Sequence, residues 1–243
     1  MFLKKCKKAV ILFIILLITA NTVNAEFYDV PSEINSYGQQ VYKVARSYWG
    51  RSFRGYCGTY VKCQLRAMGI FESGFDFSGN GNRWYSNFEG VTKTSGGYYV
   101  YSESGKDCLY QLAEKYGKNL KNIVVSFPIQ AGYSASRPGA GHAFIIYEIR
   151  DNIAYYSESF ALSSFREGQV IAEDISSLLD RYTKRHGNPI GAVMLNESII
   201  IPNMDEREQA IIFSRLMEDI EAMSKVTVIA SEFSEMTKSR TIM

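Results

Sequence analysis

Histidine is scarce in this chain, which has only His142 and His186 among its 243 residues. Two imidazoles are too few for a multi-histidine metal centre, and no two cysteines have the Cys-x-x-Cys spacing of a structural zinc site. The chain also lacks a Gly-x-Ser-x-Gly elbow, a phosphate-binding loop ending in Gly-Lys-Ser or Gly-Lys-Thr, and a Gly-x-Gly-x-x-Gly turn. We therefore expect neither a metal ion nor a cofactor, and we exclude the hydrolase and nucleotide-binding classes that those motifs define.

Long apolar runs are missing except near the N-terminus. Four lysines among the first eight residues precede an apolar run over residues 9–20, and a short polar stretch then ends at Ala25. This order is typical of a secretory signal peptide, and the run is too short to cross a bilayer comfortably. We predict that residues 1–25 are removed after Ala25, that the mature protein is periplasmic or secreted, and that it has no stable membrane insertion.

Basic clusters are missing from the rest of the chain. Four of its 27 Lys and Arg residues lie in the predicted signal peptide, which has no acidic residue, so the mature chain has 23 basic and 25 acidic residues. A protein that binds nucleic acid through its phosphates carries an excess of basic side chains. Nucleic acid is therefore not an expected partner.

Cysteine is also rare, and three residues remain after the predicted cleavage: Cys57, Cys63 and Cys108. In an oxidising compartment, an odd number of cysteines leaves one thiol unpaired unless chains are cross-linked. A disulfide between Cys63 and Cys108 would leave Cys57 as the free thiol, and we take that pairing as a hypothesis.

The hydrophobic periodicity predicts helices and strands in a definite order. Helices are predicted over residues 32–49, 57–68, 107–116 and 173–185, and strands over 98–101, 123–127, 142–149, 153–157 and 192–195. Helices followed by an antiparallel meander indicate an α+β fold, with N-terminal helices packed on an antiparallel sheet.

Two regions differ from this pattern. Residues 71–97 are rich in Gly, Asn and Ser without periodicity, which indicates a long surface loop suited to binding. The sequence from Asp205 to Met223 predicts an amphipathic helix that packs on its own domain or binds a protein partner. The predicted organisation is a signal peptide (1–25), one globular domain (26–201), and a C-terminal helix with its tail (202–243).

Cys57 is placed at the start of a predicted helix. The first turn of a helix has unpaired backbone N–H groups and a partial positive charge, and both lower the pKa of a thiol. The same N–H groups can receive the oxyanion that forms when a thiolate attacks a carbonyl carbon. Cys57 is therefore the candidate nucleophile, and the alternative is a small buried cysteine without a chemical role.

A cysteine nucleophile needs a base, and only two histidines are available. His142 follows Gly139 and Gly141 at the start of a predicted strand, where its ring is open to substrate and held by the sheet. His186 is in the last turn of a predicted helix, where it complements the helix dipole and the unpaired carbonyl groups. We take His142 as the base and His186 as structural.

The base in turn needs a group that orients its ring, and the register of the hairpin decides which group does so. With a two-residue turn, Ser157 and Ser159 share the face of His142. With a three-residue turn centred on Asp151, Glu158 shares it instead. We predict the three-residue turn because a serine orients an imidazolium poorly. The alternative for Glu158 is a solvated charge at a strand end.

The motifs, in order, are Cys57 at a helix start followed by Tyr60-Val61, the stretch Gly79-Asn80-Gly81-Asn82-Arg83-Trp84, Gly141-His142 opening a hairpin, and Ser157-Glu158 on its return strand. This order over residues 33–160 resembles the CHAP family of cysteine, histidine-dependent amidohydrolases and peptidases, and the related NlpC-type cell-wall peptidases. The resemblance implies a papain-like fold for residues 26–201 and a catalytic set of Cys57, His142 and Glu158. It also implies hydrolysis of peptide or amide bonds, usually in peptidoglycan.

The expected function is therefore an exported cysteine hydrolase that acts on peptidoglycan or a peptide-like polymer. Trp84, Tyr85, Tyr98 and Tyr99 would offer this polymer flat aromatic surfaces, and the alternative is that these rings are part of the core. One alternative keeps the fold but makes the protein an exported toxin that deamidates a protein or transfers an acyl group to an amine. Another alternative is a non-catalytic secreted binding protein, in which Cys57 need not be reactive.

Overall fold

In a computed structural model of the chain, the described residues are 27–72, 79–130, 132, 134–136, 138–159 and 165–200. The predicted signal peptide and the helix predicted from Asp205 to Met223 lie outside them. The chain divides into two units, Met1–Ile200 and Ile201–Met243, and all the described residues belong to the first. None of the helices among the described residues has both the length and the apolar character that crossing a bilayer requires.

Six strands form one antiparallel sheet, which confirms the predicted α+β class. In chain order the elements are α1 (Ser32–Trp49), α2 (Cys57–Ala67), two short 3-10 helices (Gly81–Arg83 and Ser86–Phe88), β1 (Tyr99–Ser104), α3 (Cys108–Tyr116), β2 (Leu120–Phe127), β3 (His142–Arg150), β4 (Ile153–Ser157), β5 (Ile171–Asp174), α4 (Ile175–His186) and β6 (Gly191–Asn196). The strand order is β1-β6-β2-β3-β4-β5, so β2 to β4 form the predicted meander, β5 extends it by one strand that was not predicted, and β6 returns to pair with β2.

Apolar side chains on both faces of the sheet are buried, because helices cover both faces. The two N-terminal helices α1 and α2 pack on one face, as predicted, against side chains such as Val124 and Ile145. Helices α3 and α4 pack on the opposite face, against side chains such as Val125 and Phe144. Seven of the nine residues of β3 are buried, which is the pattern expected of a strand covered on both sides.

The hairpin between β3 and β4 combines a tight turn with a β-bulge. Asp151 and Asn152 both have positive φ angles, 50° and 68°, as a two-residue turn of the mirror-image type requires. The predicted three-residue turn is therefore wrong. However, the register shifts by one residue at Tyr147, and beyond that point Ile145 lies opposite Ser157. The bulge supplies the extra residue that was assigned to the turn, so the predicted register holds at the end of the hairpin near His142.

The start of helix α4 also differs from the prediction, which began this helix at Glu173. Residues Ile171–Asp174 instead form strand β5, in which Glu173 is fully buried. The carboxylate of Asp174 accepts hydrogen bonds from the backbone N–H groups of Ser176 and Ser177, so Asp174 is the N-cap and the helix begins at Ile175. The strand has only four residues and runs directly into the helix, so its alternation was too short to recognise in the sequence.

The prediction of a long surface loop over residues 71–97 is wrong for its described part. Trp84 is fully buried and Phe88 is 3% exposed, and both belong to the core on the α1 and α2 face of the sheet. Two short 3-10 helices bring these rings inward. Gly81 and Gly96 pack closely against backbone atoms of other segments, so part of this segment serves packing rather than an exposed loop.

The backbone of residues 79–82 fits tightly between the start of α2 and the start of β3. A Cβ atom on Gly58 would lie 1.6 Å from the carbonyl oxygen of Gly79, and a Cβ atom on Gly81 would lie 2.5 Å from the carbonyl carbon of His142. The Gly81 carbonyl accepts a hydrogen bond of 2.6 Å from Ser126. This segment therefore joins the two elements that carry Cys57 and His142.

The proposed disulfide between Cys63 and Cys108 does not form, and Cys57, Cys63 and Cys108 are all free thiols. Cys63 belongs to the core on the α1 and α2 face of the sheet, and Cys108 belongs to the core on the opposite face. The sheet lies between them. Cys63 is buried on the packed side of α2.

We predict that Gly58→Ala destabilises the fold by about 1–3 kcal/mol, because the new methyl group would overlap the Gly79 carbonyl. Alanine is the better helix former by about 1 kcal/mol, so the effect of the clash opposes propensity. Gly79→Ala is the matched control, since its Cβ would meet Thr59 Oγ1 at an ordinary 3.6 Å. Urea unfolding of the two variants and the wild type measures the change in the free energy of unfolding. Equal midpoints for the two variants and the wild type would show that the segment is not tightly packed.

Candidate active site

Cys57 is the first residue of α2, and its side chain is half-buried. Gly55 has a φ angle of 80° and lets the chain turn sharply into the helix. The Cys57 sulfur lies 3.9 Å from the carbonyl oxygen of Gly141. As predicted from the sequence, the thiol lies beside the unpaired N–H groups of a helix start.

His142 is the first residue of β3 and is 4% exposed. Its Nε2 atom lies 3.0 Å from Oε2 of Glu158, which is also 4% exposed. Nδ1 is thereby left free of the carboxylate, and the ring interacts with the Cys57 thiol, since each of the two groups shifts the pKa of the other. The three residues predicted from the sequence therefore come together, with His142 interacting with both the thiol and the carboxylate.

The charges of Cys57, His142 and Glu158 stabilise one another. Burial alone would raise the pKa of the Cys57 thiol, but the hydrogen bond and positive charge of His142, with backbone N–H groups at Ala143 and Gly58, lower it overall. Burial alone would lower the pKa of His142, yet its hydrogen bonds with Cys57 and Glu158 raise it to about 9. Both shifts favour the thiolate beside the imidazolium over the neutral pair.

Among the described residues, the alternative orienting groups Ser157 and Ser159 have no hydrogen bond with the ring. The Ser157 hydroxyl forms a buried hydrogen bond with Tyr60. The Ser159 hydroxyl is buried without a hydrogen-bond partner among the described residues. Of the three candidates, Glu158 is accordingly the one whose side chain forms a hydrogen bond with the His142 ring.

An open cleft of about 360 Å³ leads to the sulfur and the ring. The described residues that line it are Gly55, Tyr56, Cys57, Gly58, Thr59, Gly79, Asn80, Gly81, Gln130, Ala140, Gly141 and His142. Apart from the Cys57 and His142 pair, none of these side chains is charged. Such a cleft suits a thin, neutral substrate segment whose polar groups are amides.

The aromatic residues predicted to contact a polymer do not line this cleft. Trp84 is in the core, and the Tyr98 hydroxyl donates a hydrogen bond to Glu197. Tyr56, which is 46% exposed, lines the cleft instead. Its ring lies 5.6 Å from that of Trp49, and Arg51 lies over both rings. Its position directly before the candidate nucleophile was the sequence signal for Tyr56.

Sequence reasoning assigned His186 to a helix end, and the structure adds a contact that was missed. His186 is the last residue of α4, as expected, and its Nδ1–H donates a hydrogen bond of 2.8 Å to the Ile129 carbonyl. Its ring also stacks on that of His142, with centroids 4.3 Å apart and planes 13° apart. In the sequence, the only signal for this contact is that the chain has just two histidines.

No protein-family model, curated protein or solved structure matches this chain. Among the described residues, no group of three or more His, Cys, Asp or Glu side chains is arranged to hold a metal ion. The chemistry of the site is therefore inferred from the geometry of its own side chains.

We predict that iodoacetamide alkylates Cys57 fastest in the folded protein, at a pH below the ordinary thiol pKa of about 8.5. Cys63 and Cys108 are protected, because burial raises the pKa of both thiols, that of Cys108 to about 12. Peptide mass spectrometry at timed quenches separates the three sites.

Two controls make this measurement decisive. Cys57→Ser should remove the fast reaction and leave the slow ones. In denaturant without reductant all three cysteines should react, because none is in a disulfide. A Cys57 rate that rises only above pH 8.5, as for an isolated thiol, would mean that His142 does not activate the sulfur.

Proposed function

We propose that the protein is a cysteine hydrolase with a papain-like arrangement, in which Cys57 is the nucleophile, His142 the base and Glu158 the group that orients the base. The observation that carries this proposal is the interaction of His142 with both the Cys57 thiol and the buried Glu158 carboxylate, with Cys57 and His142 lining an open cleft. The elements are those that a papain-like enzyme uses: a helix start for the cysteine and neighbouring strands for the other two. A purely binding protein has no need of a thiol with a lowered pKa.

The reaction follows from the charges. The Cys57 thiolate attacks the carbonyl carbon of a peptide or amide bond, and backbone N–H groups at the start of α2 stabilise the oxyanion. The His142 imidazolium then donates its proton to the leaving amine, and an acyl-enzyme remains. His142, now neutral, takes a proton from a water molecule that attacks the thioester. Release of the carboxylic acid restores the thiolate and the imidazolium.

We infer that the substrate is a peptide or amide bond in the stem peptides or cross-links of peptidoglycan. The predicted signal peptide would place the enzyme outside the cytoplasm, where this polymer is found. The cleft is neutral apart from the reacting pair, and the amides of Asn80 and Gln130 line it, which suits a peptide backbone. The resemblance to CHAP and NlpC-type hydrolases supports the same substrate class.

The test is incubation of the mature protein with isolated cell walls of several cross-link types. We expect new free amino groups on released fragments while the glycan strands stay intact, as read by mass spectrometry. Cys57→Ala and His142→Ala should each remove this activity without loss of fold. No release from any wall type, with cleavage or deamidation of a protein substrate, would instead support the exported-toxin alternative.

The role of Glu158 is tested by Glu158→Gln, which keeps the shape and a hydrogen-bonding oxygen but removes the charge. We expect kcat/KM to fall by about 10²- to 10⁴-fold, and by less than in His142→Ala. The basic limb of the pH profile should move to lower pH, because the Glu158 carboxylate raises the pKa of His142. Ser159→Ala is the control from the same strand end. Wild-type activity in Glu158→Gln would transfer the orienting role to another group.

A further inference from the structure

The two histidines of the chain form one stack, although they are 44 residues apart in the sequence. The ring of His186 lies 4.3 Å from that of His142 and nearly parallel to it. Tyr182 completes the group, with its centroid 5.6 Å from His142 and 5.7 Å from His186. The proposed mechanism uses only His142, so the position of His186 needs an explanation of its own.

His186 is fixed on its other side by two hydrogen bonds to a single residue. Its Nδ1–H donates to the carbonyl of Ile129 at 2.8 Å, and its own carbonyl accepts from the N–H of Ile129 at 3.0 Å. The next residue, Gln130, lines the cleft, and its side-chain oxygen accepts a hydrogen bond of 3.1 Å from the N–H of Ala140. His186 therefore contacts the base on one side and the loop that forms part of the cleft on the other.

His186 remains neutral while His142 is charged. Burial, with the positive charge of His142, lowers the pKa of His186 to about 3, and Arg181 and Arg185 act in the same direction. The other ionisable groups around the stack are Cys57 and Glu158, which contact His142, and Tyr182. Burial and the Glu158 carboxylate raise the pKa of Tyr182, so it stays a neutral phenol.

A neutral aromatic ring that lies parallel to a cation offers its electron-rich face to the charge. The imidazole of His186 is placed in this way against the imidazolium of His142. The Nδ1–H bond to Ile129 fixes the tautomer of His186 and holds its ring plane. Each of the two contacts of His186 thus has a separate physical effect.

We propose that His186 is a positioning residue for the proposed hydrolase. Its ring stabilises the charged form and the orientation of His142, and its hydrogen bonds to Ile129 hold the loop that presents Gln130 to substrate. The proposal rests on the proposed function only in taking His142 as the base. A readout that needs no substrate tests it separately.

Two variants separate the two contacts. His186→Asn retains an N–H donor for Ile129 but removes the aromatic face. We expect the basic limb of activity, which reports loss of the His142 proton near pH 9, to move down by about half to one pH unit. His186→Phe retains an aromatic face but removes the donor. We expect its basic limb near that of the wild type and a KM raised by about 2- to 10-fold, the factor of one net hydrogen bond.

The substrate-free readout compares alkylation of Cys57 by iodoacetate and by iodoacetamide across pH. The negative iodoacetate is attracted to the imidazolium beside the thiolate, so its rate advantage falls when His142 loses its proton. His186→Asn should lower the pH at which this rate advantage falls by the same half to one unit, which corresponds to the free energy of an exposed cation–aromatic contact. His186→Phe should leave that pH unchanged. If this shift appears while no wall fragment is released, the substrate assignment fails and the positioning role stands. If both variants keep the wild-type fall and the wild-type KM, with unchanged urea midpoints, His186 is only structural.

If a variant does not fold, a measurement on the wild-type protein still tests the proposal. Because the mature chain has only two histidines, ¹⁵N-histidine labelling gives two imidazoles in an NMR titration. We expect one ring to stay neutral, with its proton on Nδ1, throughout the range in which the folded protein is stable. The other should be an imidazolium at neutral pH and lose its proton near pH 9. Two rings that both titrate near the ordinary histidine pKa of about 6.5 would overturn the proposal.

Discussion

The close approach of three backbone segments is the constraint on which the site depends. Residues 79–82 lie between the start of α2 and the start of β3, with no space for a Cβ atom on Gly58 or Gly81. The N–H of Asn82 also donates to the Ala140 carbonyl at 3.1 Å, which ties this segment to the loop before His142. Since Cys57 and His142 are the first residues of their elements, the spacing of those elements sets the distance between sulfur and ring. The same backbone forms a wall of the cleft.

Burial gives this arrangement its electrostatic effect. His142 and Glu158 are each 4% exposed, so their interaction is little screened by water. An imidazolium in such surroundings would be costly alone, but it lies between a carboxylate and a thiol that ionises readily. Aromatic rings from α4 and β2 pack against the ring of His142. The site is thus rigid where charge is held and open only where a substrate enters.

Features set by local pattern could be predicted, and features set by distant packing could not. Cys57 at a helix start and His142 at a strand start follow from short-range signals, and so does their pairing once a base is required. The place of Glu158 was predicted through the wrong turn, because a bulge at Tyr147 leaves no mark in the alternation of a strand that is buried on both faces. The sequence left open whether Trp84 is in a surface loop or in the core, because its segment is rich in glycine and has no periodicity, although Gly81 serves tight packing. The stack of His186 on His142 joins residues far apart in sequence, which periodicity cannot reveal.

The bulge at Tyr147 separates two properties that a simple hairpin would couple. In a regular antiparallel pair, the length of the turn decides which side chains of the return strand share a face with the first strand. Here a bulge at Tyr147, five positions after His142, shifts the register between Ile146 and Glu148 and so changes which side chains share a face. The turn at Asp151 and Asn152 can therefore keep the geometry that suits folding, while one inserted residue keeps an acid rather than a serine beside the base. The position of the acid therefore depends on the length of β3 as much as on the residue type, because deletion of Tyr147 would shift Glu158 off the face of His142 while leaving it in the sequence.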